Sequence, residues 1–143
     1  MVRCVALTLT LVASMLGIAS LSLAGEATGE IDFNRDIRPI LSNACLMCHG
    51  PDENERQAGL RLDVRESALG EADSGSRAIV PGDLEQSELI QRVLSEEDYE
   101  RMPPAESGKP LTSGELELLK KWVQQGAAYA EHWSYVKPQR PAL

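Results

Sequence analysis

The sequence predicts a small all-α domain, with three to four short helices joined by long loops. Apolar residues recur at helical spacing in three separate segments, and no set of alternating runs makes a convincing sheet. The stretches between those segments are broken by glycine and proline. Large aromatics are scarce, with one Phe, two Trp and three Tyr, so something besides side chains is expected to help fill the interior.

The chain opens Met-Val-Arg, runs uncharged from Cys4 to Ser22 and reaches Ser22-Leu23-Ala24 before its first acid, Glu26. A basic start, an apolar stretch and a small-x-small site mark residues 1–24 as a secretory signal peptide. The most apolar part, Val5 to Ile18, is too short to span a bilayer, so no membrane span is expected after cleavage. Removing those 24 of the 143 residues leaves 119, enough for one domain. Residues 25–130 are read as the folded unit and 131–143 as a C-terminal tail or linker. Cleavage takes away Cys4 and Arg3, leaving Cys45 and Cys48 as the only cysteines and moving the net charge from −8 to −9. So acidic an exported domain is a poor ligand for nucleic acid or anionic lipid, and a charged partner is expected to present a basic face.

The first helix is expected over residues 37–48, where Ile37, Ile40, Leu41, Ala44 and Cys48 share one face. Pro39 is tolerated only in a first turn, which favours Asp36 as N-cap, with Asp32 the alternative if the helix kinks. Gly50-Pro51 ends it, so Cys45, Cys48 and His49 are delivered at its C-terminal end. Residues 52–82 read as a long wrapped loop with a Leu60/Leu62/Val64 alternation and one short helix near 64–68; a loop of this length signals function or something to wrap. Ser87 is expected to cap a third helix whose Leu89, Ile90, Val93 and Leu94 share a face. The acidic run 95–100 is its solvated end, since no EF-hand spacing accompanies it to suggest calcium. Three prolines make 101–111 irregular. Thr112 and Glu115 then form a capping box for a last helix with Leu116, Leu119, Trp122 and Val123 on one face and a stop at Gly126. The remainder reads as a docked segment giving way to linker.

Residues 45–49 spell Cys-Leu-Met-Cys-His. At this chain's composition that pattern arises by chance about once in a thousand such chains, so accident is a poor account. Two thiols about a helical turn apart suit thioether bonds to the two vinyl groups of a haem, and the next residue puts an imidazole beside the iron. Cys45 and Cys48 are the expected attachment points of one haem c and His49 the proximal ligand. Three readings compete. A Cys45–Cys48 disulfide closes too small a loop to stabilise much and leaves His49 unexplained. A thioredoxin-like pair needs a βαβ setting. A zinc site needs four ligands, with His132 the one strong candidate beyond these three.

For the sixth position on the iron the mature chain offers Met47, Met102 and His132. Met47 lies within the attachment loop on the proximal side. Met102, in a proline-stiffened loop, is expected as the distal ligand, because a thioether favours Fe(II) and suits electron transfer. His132, beside Trp133 and Tyr135, is the fallback. Leu60, Leu62, Ile79, Leu89, Val93 and Leu111 are expected to cover the macrocycle, and the cofactor-free domain is expected to be largely unfolded. Arg61, Arg65, Arg77 and Arg101 are candidates to meet the haem propionates, and the second ring nitrogen of His49 is expected to donate to a backbone carbonyl.

Taken together, "FNRDIRPILSNACLMCHGPD", "GLRLDVRESAL", "AIVPGDLEQSELIQRV", "RMPP" and "LTSGELELLKKWVQQGA" before "HWSY" resemble the planctomycete-type cytochrome c domain, a haem module at the N-terminus of large exported proteins. The resemblance spans about residues 31–133. It implies a cytochrome c-like fold with the 37–48 helix crossing the 113–125 helix, covalent haem c, Met102 on the distal side and an extracytoplasmic, periplasmic location. Family members usually continue into larger domains, so the expected partner is a redox protein or a fused downstream domain. The function expected is one-electron transfer by an electron carrier, not an enzyme, with no residue acting as acid, base or nucleophile. A haem-based sensor with an open or weakly held sixth position is the alternative. A peroxidase-like centre, which lacks a visible distal acid–base pair, and a purely structural module are weaker rivals.

Overall fold

A computed structural model describes residues 29–72 and 75–138; the leader assigned to residues 1–24 lies outside the described residues. Four α-helices are present among them: α1 Arg38–Ala44, α2 Arg65–Leu69, α3 Glu88–Leu94 and α4 Ser113–Gln124. A π-helical turn, Phe33–Ile37, leads into α1, and 3-10 turns fall at Ala105–Ser107 and Trp133–Tyr135. The described residues form no strand, only the isolated bridges Glu71–Arg77 and Val80–Asp83. None of their helices is long and apolar enough to cross a membrane.

The chain becomes helical one turn earlier than Asp36. Asp32 is the N-cap: its carboxylate accepts the Arg35 amide at 2.8 Å, and the Asp36 carboxylate reaches back to the Asp32 amide at 2.9 Å. Pro39 has no N–H to return to the preceding turn, and the backbone just before it winds wider, with the Arg38 amide bonded to the Phe33 carbonyl. At the other end α1 stops at Ala44, short of the predicted Cys48. Residues 45–48 form turns in which the Cys45 carbonyl accepts the amides of both Cys48, at 3.1 Å, and His49, at 2.9 Å. Gly50 is required there, because a Cβ on it would collide with the Leu46 carbonyl oxygen.

The scarce aromatics are concentrated. Phe33, Trp122 and Tyr129 form a triangle with ring centroids 4.5 to 5.7 Å apart. Each polar handle is used: Trp122 Nε1 donates to the Ala128 carbonyl at 2.8 Å and the Tyr129 hydroxyl to the Leu62 carbonyl at 3.1 Å. Around the triangle lie Ile37, Ile40, Leu41, Ile79, Ile90, Leu119 and Val123, all buried. The protein therefore fills one core with its own side chains, which the aromatic count alone did not suggest. The α4 helix meets the Phe33–Ile37 turn and α3, so it packs on the first helical segment chiefly through that segment's entry turn.

The capping box of α4 is present, the Glu115 amide donating to Thr112 Oγ1 at 3.2 Å and the Thr112 amide to Glu115 Oε2 at 2.8 Å. Ser87 does not cap α3 with its side chain. It is fully buried, its hydroxyl accepting the Val80 amide at 2.9 Å and lying 2.5 Å from the Asp83 carbonyl, so it ties the turn before the helix instead. After α4 the backbone reverses through Gly126, at φ 98°, and the following segment docks on the start of the first helix. Arg38 lies 4.9 Å over the Phe33 ring and donates to the Ala130 carbonyl, while Asn34 donates to that of Glu131.

Candidate functional site

Cys45, Cys48 and His49 line one wall of a cleft of about 320 Å³. The long loop supplies Leu60, Leu62 and Ala78, α3 supplies Glu88, Leu89, Arg92 and Val93, and the proline-rich loop closes the cleft with Met102, Pro103 and Pro104. Backbone bonds fix residues 45–49 against the long loop: the Gln57 amide donates to the Cys48 carbonyl and the Leu62 amide to that of His49, both at 2.8 Å.

Both thiols are free. Burial, with a smaller contribution from Cys48, pushes the Cys45 thiol up to about 11, so it is neutral at physiological pH. Burial also lowers the basicity of His49. The Gln57 backbone opposes that shift, and the positive charge of Arg92 adds to it. Nδ1 of His49 is buried with no hydrogen-bond partner among the described residues, so the expected bond to a backbone carbonyl is not formed. The carbonyls of Cys45 and Cys48 are already taken by the amides of Cys48, His49 and Gln57.

Met102 is half-buried, and its amide donates to the Arg92 carbonyl at 3.0 Å. It faces two spaces: the cleft, and a neighbouring recess of about 350 Å³ lined by Pro103, Pro104, Pro110, Leu111 and Leu116. Leu111 thus lines the recess and not the cleft, and Ile79 lies wholly in the core. Met47 also lines the cleft but is 56% exposed. His132 stands apart, its Nδ1 2.8 Å from Ser134 Oγ and its ring 6.2 Å from that of Tyr135.

The arginines singled out from the sequence are not those at the cleft. Arg61 is paired with Asp63 at 2.5 Å, and Arg101 is paired with Asp98 and faces the recess. Arg65 and Arg77 do not line the cleft either; the basic residues there are Arg92 and Lys109. Arg92 stands three positions after Leu89 on the short amphipathic α3, and that helical register was the one sequence signal pointing it toward the cleft. No group of three or more His, Cys, Asp or Glu side chains among the described residues is arranged to hold a bare metal ion.

A neutral buried thiol, a second free thiol, an imidazole with a buried orphan nitrogen and a thioether around one largely apolar cleft fit a covalently attached haem. Residues 45–106, a little under half of the chain, match the family model described as Planctomycete cytochrome C. That span includes Cys45, Cys48, His49 and Met102. No curated protein and no solved structure matches the chain.

Proposed function

The chain carries a planctomycete-type cytochrome c domain, and from that premise we propose that it is an exported mono-haem electron carrier whose iron is held by His49 and Met102. The observation that carries the reading is the meeting of Cys45, Cys48, His49 and Met102 on one cleft from segments more than fifty residues apart in sequence. The helical architecture with long loop walls supports the cytochrome c-like fold that the resemblance implies. When bound, haem c supplies a one-electron Fe(III)/Fe(II) couple.

The protein's own residues then have separable tasks. Cys45 and Cys48 would hold the group through thioethers, and Cys45, neutral in its buried setting, keeps no charge in the interior. His49, made less basic by burial, presents a neutral ring with a lone pair at physiological pH. Met102, tied to α3 through its amide, holds its sulfur on the cleft. Leu60, Leu62, Leu89 and Val93 exclude water, each worth about 1.5–3 kcal/mol when fully covered. The leader at residues 1–24 supports export, and the net charge of −8 supports a basic face on the electron partner, whether a separate protein or a fused domain.

The recess beside Met102 favours one second reading, in which Met102 would not hold the iron and a small ligand would bind there instead. The primary reading is tested by expressing the full chain in a host with c-haem maturation and recording its reduced pyridine hemochrome. A c-type hemochrome, with the long-wavelength thioether-to-iron band in the oxidised protein, is the expected result. The absence of covalent haem would sink it.

A further inference from the structure

Three formally charged side chains line the cleft: Glu88, Arg92 and Lys109. In a chain of net charge −8 this is a locally positive wall by one charge, that of Lys109, because Arg92 and Glu88 are joined as an ion pair. Arg92 and Glu88, one helical turn apart on α3, are joined at 2.8 Å through both Nε and Nη2 of the guanidinium. Nη1 is 3.4 Å from the Glu100 carbonyl, which orients the remaining edge of the fork. The same residue's backbone carbonyl holds the Met102 amide at 3.0 Å. Arg92 thus touches the loop that carries one candidate ligand, and its charge is felt at the ring of the other.

We propose that the Glu88–Arg92 pair is a positioning element that sets the reduction potential of this site, the guanidinium favouring the reduced state and the Glu88 carboxylate opposing it. The proposal rests on the haem reading above. Reduction lowers the positive charge on the iron by one unit, so a nearby cation stabilises the reduced form relative to the oxidised form and a nearby anion does the reverse. With both side chains partly exposed, solvent screening limits the effect to about tenfold in the ratio of reduced to oxidised protein at fixed potential, or about 59 mV for one electron. Because the bond to Met102 is made by the Arg92 backbone, changing the side chain leaves that bond in place.

The test is a spectroelectrochemical titration of the full-length, covalently loaded chain and its Arg92→Gln, Arg92→Lys and Glu88→Gln variants at one pH and ionic strength. Arg92→Gln is expected to lower the ratio of reduced to oxidised protein about tenfold, Glu88→Gln to raise it by a comparable factor, and Arg92→Lys to stay near the unaltered protein. The thioether-to-iron band should be retained in all three. Opposite shifts from the two partners are a signature that mere loosening of α3 would not produce. If Arg92→Gln fails to fold, Glu88→Gln decides alone. Unmoved potentials, or shifts in the same direction for Arg92→Gln and Glu88→Gln, would overturn this proposal and leave the functional reading intact. An unaltered chain that takes up no covalent haem would overturn both, and would be seen before any variant is made.

Discussion

The carbonyl of His49 accepts the amide of Leu62 at 2.8 Å, and the Leu62 carbonyl accepts the Tyr129 hydroxyl at 3.1 Å. The imidazole-bearing turn is thereby joined through a single loop residue to the aromatic triangle of the core. The Cys45–His49 turn owes its placement to this relay as well as to α1, which has already ended at Ala44.

Tyr129→Phe keeps the ring in the triangle but leaves the carbonyl of buried Leu62 without this donor. The expected loss is about 1–2 kcal/mol, which for a domain of this size lowers the melting temperature by roughly 4–10 °C. A thermal melt of the loaded protein followed by circular dichroism checks it; no change would mean that solvent replaces the tyrosine at no cost.

The cofactor-free domain should retain more structure than the shortage of aromatics suggests. Trp122, Ile37, Leu41, Ile79, Leu119 and Val123 are fully buried, and none of them lines the cleft. A Cys45→Ala/Cys48→Ala variant is therefore expected to keep the far-ultraviolet signal of α1 and α4 while its loops exchange amide hydrogens faster. A random-coil spectrum would restore the expectation of a largely unfolded apo-domain.

The pH dependence of that variant has a definite sign. Burial holds the folded His49 below the ordinary imidazole value of 6.5, so between 6.5 and the lowered value the unfolded chain binds a proton that the folded one does not. Stability is at its full value above 6.5 and falls as the pH drops through this window. Asp36 and Asp63, held low chiefly by hydrogen bonds from Arg35 and Arg61, act separately, below about 3.8. Urea titrations of the variant from pH 7.5 to 5 should show the decline, and adding His49→Gln should flatten it. An equal decline with the glutamine present would place its cause elsewhere.

Met102→Ala separates the two readings of the sixth position. With His49/Met102 ligation, the variant is expected to lose the thioether-to-iron band, bind added imidazole tightly and show a lower potential. An unchanged visible spectrum would instead favour an open site, with Met102 serving only as the partition between cleft and recess.

Several features were legible because their causes lie within a few residues. The capping box at Thr112 and Glu115 needs only two side chains three positions apart, whereas the end of α1 at Ala44, ahead of the Gly50-Pro51 stop expected from the sequence, was not legible in this way. At the entry to α1 the Pro39 constraint can be met either by starting the helix beside it, with Asp36 as N-cap, or by widening the turn before it, with Asp32 as N-cap; the structure takes the second, which sets Phe33 against Trp122. Ser87 stands at the N-cap of α3 as expected, but its hydroxyl bonds the groups of residues 80 and 83 behind it and not an amide ahead, and burial decides.

The sequence by itself determined that two thiols and an imidazole, those of Cys45, Cys48 and His49, stand together, since the backbone spacing binds them to one another. It also determined the all-helical character, through periodicity that each segment carries within itself. Only the tertiary structure decided that Met102 faces the same cleft, that Arg92 and Lys109 line it while Arg61 and Arg101 are held by neighbouring carboxylates, and that His132 lies apart. The placing of Met102, Arg92 and Lys109 on one cleft depends on how loops of ten to thirty residues fold back on the core, where many side chains compete for each place and burial across the domain strikes the balance.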